Sequence, residues 1–435
     1  MYKTNNVRPI VLLLLAPLGA KSETLPQAGG DKHMGVATCA ASQCHGSAVP
    51  RDGSNVLQNE YVTWTQNDPH AGAYQVLTTG ESRAIAARLG LRSATTAKIC
   101  LDCHADNAPL DKRGERFQIS DGVGCEACHG GAERWLSTHY NVPAVTHADS
   151  VTAGLYPTDR VADRAKLCLS CHLGTEDKFA THRIMAAGHP RLSFELDTFT
   201  EIWRTAGRQP HFRVDKDYQE RKASPSHSYL WAAGLLAEGR QRLGLVMNSD
   251  FAGSGMFPEL GLYDCHACHR SMKTVQWRPL ARHGGAGPGV PFLSDGSFVM
   301  ILALAQSLDA AVADTIEAAL TELHVAAGAN VAAIRAAAGK LDSGFATLQR
   351  QLSENAVQRR ERQILEQILE NGAAGQFIDY ASAEQAFMAV QMLVFELSNA
   401  DLEGEIGELA DSLQDDERYR PGQFSRLLAK LNAEP

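Results

Sequence analysis

The chain has 435 residues, 41 Lys and Arg against 50 Asp and Glu, a net charge of −9, and 44% hydrophobic residues. That length allows two or three domains. It shows no basic stripe of the kind that binds nucleic acid, and its acidic balance suits a basic protein partner or simply solubility.

In chain order, residues 1–20 (MYKTNNVRPIVLLLLAPLGA) read as a secretory signal. Lys3 and Arg8 form a basic start, an apolar run follows, and Gly19-Ala20 is a small-residue exit. The apolar run is short for a bilayer span. An uncleaved anchor is the alternative, and no second segment is long enough to cross. Residues 21–35 read as a flexible start. Residues 36–282 are rich in Gly, Pro, Asp and Ser and hold every cysteine. Sheet signals are sparse there, so short helices joined by long loops are expected, and the fold class is mainly α. The Gly- and Pro-rich residues 283–297 read as a linker. Residues 298–431 then read as a helical bundle. Ile301, Leu304, Leu308, Val312, Ile316, Leu320 and Leu323 recur at steps of three or four, the apolar face of one helix. Further helices are expected near 330–352, 354–370, 382–413 and 421–431, joined by short turns and packed antiparallel. The eight acids between Asp401 and Glu417 read as a solvated face. This tail carries no visible chemistry; bracing, partner docking or self-association are its expected roles.

The ten cysteines form five pairs, each closed by a histidine. They are Cys39 and Cys44 with His45, Cys100 and Cys103 with His104, Cys125 and Cys128 with His129, Cys168 and Cys171 with His172, and Cys265 and Cys268 with His269. Four are C-x-x-C-H, the attachment signature of c-type haem; the first has four intervening residues. Two thiols bond the porphyrin, and the adjacent histidine ligates the iron from the proximal side. A disulfide framework would not place a histidine after every pair, and zinc sites join two pairs or add distant histidines. Five covalent haems c are therefore expected. They imply export, because this haem is attached outside the cytoplasm.

The second axial ligand must come from elsewhere. Of sixteen histidines, eleven are not proximal, and ten of these lie between residues 33 and 283. The candidate distal ligands are His70, His139, His189, His227, His182 and His147. His70 follows Pro69, His189 is framed by Gly188 and Pro190, and His227 opens a helical pattern. His33, His211 and His283 rank lower. His266 reads as a surface residue and His324 as structural. Met185, Met247, Met256 and Met272 are weaker alternatives because histidine is in ample supply.

The blocks ATCAASQCHGS, WTQNDPHAGAY, GVGCEACHGGAERW and AGHPRLSFEL, over roughly residues 36–275, resemble the multihaem cytochrome c554 family. The resemblance implies a mostly helical protein with haems stacked in close pairs, shuttling electrons in the periplasm. It also implies that His70 is a distal ligand and that His189 is another. A fifth haem and the haem-free tail depart from it. Some members keep one five-coordinate haem. Two functions therefore stand. One is an electron carrier between redox proteins, with every iron six-coordinate. The other is a haem oxidoreductase acting on a small nitrogen or sulfur compound at one open iron, for which His182, His211 and Arg191 could serve.

Overall fold

A computed structural model describes residues 24–51, 56–140, 144–205, 210–212, 216–222, 224–248, 251, 259–269, 280–285, 290–398 and 402–433. Residues 1–20, expected to be a secretory signal, and Met256 and Met272 lie outside the described residues. Within them the structure is helical, with two isolated β-bridges, His33–Arg113 and Tyr263–Leu293.

The cysteine-bearing region is built from short helices, several of which end on a motif histidine. Lys98–His104, Cys125–His129 and Val161–His172 are three of these. Apolar packing is sparse here. One small cluster gathers Leu77, Ala86, Ala94, Leu101 and Ala105; another gathers Ala165, Leu169, Leu173, Phe194, Leu196 and Leu230.

The large core starts at the helix His227–Met247. Ser226 caps it by accepting the Tyr229 N–H, replacing one of the bonds a helix start lacks. One side of this helix packs on Val161–His172, the other on Gly296–Leu308 and Val331–Gln351. Trp231 of this helix and Phe298, Phe345, Phe377 and Phe424 of the region that follows are fully buried in one core. Each such burial stabilises by about 1.5–3 kcal/mol. The Gly/Pro-rich stretch therefore has the same core on both sides: helix His227–Met247 precedes it and the bundle follows it.

Three expected helices are each divided, and 354–370 is one of them, as Glu354–Gln358 and Glu361–Ala373. The face from Ile301 to Leu323 is split at Asp309 into Gly296–Leu308 and Ala310–Ala327. Asp309 is extended, and its carboxylate accepts the Ala311 and Val312 N–H groups, restarting the helix. The 382–413 segment is likewise two helices, Tyr380–Glu396 and Glu403–Asp411.

Candidate haem-attachment and axial-ligand sites

Each cysteine pair sits on a turn that carries its histidine back beside the first cysteine. A helix sets residues three and four apart on one face, so C-x-x-C-H presents both thiols and the imidazole together. The His269 N–H, for example, bonds the Cys265 carbonyl at 2.7 Å. The longer first motif reaches the same end. Its loop closes through Cys44 N–H to Ala41 O at 2.8 Å and His45 N–H to Cys39 O at 3.2 Å. Gly46 is required there, because a Cβ would run into the Ala40 carbonyl.

The ten cysteines do not share one setting, although their motifs are nearly identical. Cys39, Cys100, Cys103, Cys125, Cys128, Cys168 and Cys171 are half-buried, whereas Cys44, Cys265 and Cys268 are exposed. The fifth motif differs most, since both of its thiols stand at the surface and Cys268 closes the single short turn Cys265–Cys268. That turn is held by the Ala267 N–H to the Asp264 carbonyl at 3.2 Å. Cys168 and Cys171 lie instead on the long helix Val161–His172, which packs along His227–Met247. Depth is thus set by what each helix packs on, and the motif itself says nothing of it. Exposure of Cys268 separates it from a core cysteine. It does not separate it from an anchor, whose sulfur must reach outward to a macrocycle.

The motifs are drawn together in space. The short helix Val36–Cys39 packs on Cys125–His129, and Lys178 Nζ bridges Cys171 Sγ at 3.1 Å and the Asp102 carbonyl of the second motif at 3.2 Å. First and third motifs thus adjoin, as do second and fourth.

Every motif histidine faces a second histidine ring. The ring-centroid distances are 6.2 Å for His45–His139, 6.3 Å for His104–His189, 6.5 Å for His129–His211, 6.1 Å for His172–His70 and 6.0 Å for His269–His182. An imidazole nitrogen binds a transition metal at about 2 Å, so two in-line bonds plus the inner half of each ring give about 6 Å between centroids. The five spacings of 6.0–6.5 Å are close to that figure.

Hydrogen bonds fix several of these rings. His45 Nδ1 meets Glu60 at 2.9 Å, His70 Nδ1 meets Asp68 at 2.9 Å, and His104 Nδ1 meets the Ala73 carbonyl at 3.2 Å. His139 and His189 place Nδ1 2.8 Å from the Leu136 and Pro190 carbonyls. An acceptor on Nδ1 holds the proton there and leaves the Nε2 lone pair for a metal. At His129 and His172 burial favours the neutral ring that a ligand needs. It pushes His129 down to about 3, helped by His211, and His172 down to about 4. His45 moves upward, chiefly through its bond to Glu60.

Two expected ligands are placed otherwise. His227 gives Nδ1 to Asp197 at 2.9 Å and turns Nε2 toward Glu396 at 4.0 Å. His147 commits Nε2 to Asp159 at 3.0 Å. Neither ring faces a motif histidine. His211, ranked low from sequence, takes a position opposite His129. Its signal in the sequence is arithmetic: five expected irons would need five partners. His33 is a buried structural residue, bonded to Asp106 at 2.7 Å and the Pro26 carbonyl at 3.3 Å. Met247 packs against the main core.

His283, Asp295 and His324 form a further buried cluster whose donor atoms could gather on an ion. Its carboxylate is already engaged. Asp295 Oδ2 lies 2.8 Å from Arg282 Nε and 3.1 Å from His324 Nε2, and a cation there would compete with the guanidinium.

Comparison with known proteins agrees with the motifs. Residues 38–130 match the family model described as cytochrome c554 and c-prime. That span covers the first three motifs; the last two and the bundle lie beyond it. No curated protein and no solved structure gives a significant match. Among the described residues no helix is long and apolar enough to cross a membrane.

Proposed function

We propose that this chain, similar over its first three motifs to c-type cytochromes of electron transfer, is a periplasmic five-haem electron carrier. Each iron is held by two imidazoles: His45 with His139, His104 with His189, His129 with His211, His172 with His70, and His269 with His182. The single observation that carries this reading is the set of five ring pairs spaced 6.0–6.5 Å apart.

Bound haem supplies a one-electron iron couple. The chain's own residues do the rest. The ten cysteines, the exposed Cys265 and Cys268 included, anchor the macrocycles. The paired imidazoles would hold each iron from two sides, an arrangement that suits electron transfer rather than binding of a small substrate. Glu60, Asp68 and the backbone carbonyls hold rings in place, so little rearranges when charge changes. The adjoining motifs, first with third and second with fourth, support short steps between neighbouring centres. Partners are other redox proteins, a donor and an acceptor. The oxidoreductase alternative needs one iron without a second ligand, and no motif histidine here lacks a facing ring.

The test is low-temperature EPR with optical spectra. The oxidised protein should show low-spin iron only, with iron and haem at five per chain. His211→Ala should convert one haem to high spin, while His227→Ala converts none. A high-spin centre in the unmodified protein, or no change in H211A, overturns the ligand set.

A further inference from the structure

The haem-free bundle comes close to the fourth and fifth motifs along one cavity. A cavity extends from His172 of the fourth motif to Asp264, Cys265 and His266 at the fifth. Part of its wall comes from the bundle: Gly296, at the start of Gly296–Leu308, and Tyr380 and Glu384 of Tyr380–Glu396. The chain is tied together at this point. The Asp264 N–H bonds the Phe292 carbonyl at 2.9 Å, and the Ser294 N–H bonds the Leu262 carbonyl at 2.8 Å.

Arg191 also lines this cavity. Its Nη2 lies 3.2 Å and 3.1 Å from the two carboxylate oxygens of Glu384. Its guanidinium carbon sits 5.2 Å from the Tyr380 ring centre. Ser193 Oγ donates to the same carboxylate at 2.6 Å. The next bundle residue, Gln385, donates to the Phe194 carbonyl at 3.1 Å, and Phe194 stacks on His172 at 4.7 Å. On the other side the Tyr380 ring is 6.2 Å from His266. The bundle helix Tyr380–Glu396 therefore meets the fifth motif through Tyr380 and the fourth through Phe194. It fixes a partly buried charge pair beside the fifth, where screening by water is reduced.

We propose that the Arg191–Glu384 pair tunes the potential of the haem on the fifth motif, with the bundle supplying the anion and Tyr380 fixing the cation. The inference rests on the five-haem reading. Nearby charge is one of the means by which a protein sets a haem potential. Added positive charge favours the reduced, less positive iron; added negative charge favours the oxidised one. The pair nearly cancels, so breaking it from either end exposes a charge of opposite sign.

The experiment is a spectroelectrochemical titration of the full chain. Arg191→Gln leaves Glu384 uncompensated, and one of the five potentials should fall. Glu384→Gln leaves Arg191 uncompensated, and the same component should rise. Arg191→Lys should hold it near the parent value, and the double variant R191Q/E384Q should return toward it. His182→Ala identifies the fifth-motif component through its change of spin. Opposite shifts in that component are not what loss of packing would give, since both substitutions would then move it alike. If H182A leaves every iron low-spin, the ligand assignment fails. If H182A marks a component that R191Q and E384Q leave in place, or move the same way, the tuning role fails.

Discussion

His227 Nδ1 sits 2.9 Å from Asp197, whose carboxylate is 3% exposed at the start of the helix Leu196–Thr205. That bond, opposed by burial, raises the imidazole above its ordinary value. A raised histidine contributes stability that is fully present below its unfolded value of about 6.5 and fades as pH climbs through the folded one. His227→Ala removes the partner of a buried carboxylate, which costs about 1–3 kcal/mol. Thermal unfolding should show that loss at pH 6 and a smaller one at pH 9, with haem spectra unchanged at both. Equal losses at the two pH values, or a spin change, would place His227 in another role. The case shows what a sequence conceals at this scale. The five motif histidines are legible because their cysteines adjoin them. His227 and His211 differ only in what lies opposite, and that is set by contacts thirty or more residues away. A helix-start setting drew attention to the histidine that serves a carboxylate. His211, flanked by Pro210 and Phe212, carries no such setting.

Within the helix His227–Met247, two glycines make opposite predictions. A Cβ at Gly234 would lie 2.6 Å from the Leu196 Cβ, a rigid neighbour close to its own backbone. A Cβ at Gly244 would meet nothing within 4 Å. Alanine is favoured over glycine in a helix interior by about 0.8–1.0 kcal/mol, whereas overpacking costs about 1–3 kcal/mol. Gly244→Ala should therefore raise the melting temperature, and Gly234→Ala should lower it despite the better propensity. Calorimetry on both variants decides this; a stabilised G234A would mean that the Leu196–Thr205 helix can slide. The long helices themselves are legible from apolar spacing, since Ile301, Leu304, Ile316, Leu320 and Leu323 are all completely buried. The break at Asp309 is not, because spacing records which residues face inward and is silent on a polar residue that caps a new start. An aspartate on the solvent face and an aspartate at an N-cap look alike until the backbone is seen.

Across the whole molecule, the segment after the last motif joins the two regions through buried charge. Its glycines and prolines mark where regular structure stops, yet the flanking Arg282, His283, Leu293 and Asp295 are at most 5% exposed. Composition reports a break in helix and says nothing of a break in packing. Arg282 donates through Nε to Asp295 and through Nη1 to the Gln376 carbonyl, both at 2.8 Å; His324 reaches Asp295 from the helix Ala310–Ala327. Burial alone would push the Asp295 carboxyl upward, but Arg282 and His324 together hold it well below the ordinary carboxylate range. Asp379 nearby shifts the other way, through burial and the charge of Asp295. A depressed carboxyl contributes stability that is present above its unfolded value of about 3.9 and is lost as pH falls through the folded one. Asp295→Asn keeps the shape and an acceptor oxygen but leaves Arg282 buried without its anion, a change that costs about 3–5 kcal/mol. Unfolding of the parent protein should therefore become easier as pH drops below about 4, and D295N should start less stable at pH 7 and show a shallower acid dependence. Because Arg282 and Asp295 belong to the post-motif segment while His324 sits on the bundle helix Ala310–Ala327 and Gln376 in the turn before Tyr380–Glu396, the loss should appear in a single transition that takes the fifth motif and the bundle together. A D295N protein whose bundle unfolds as before, with only the segment loosened, would instead make this charge cluster a local clasp.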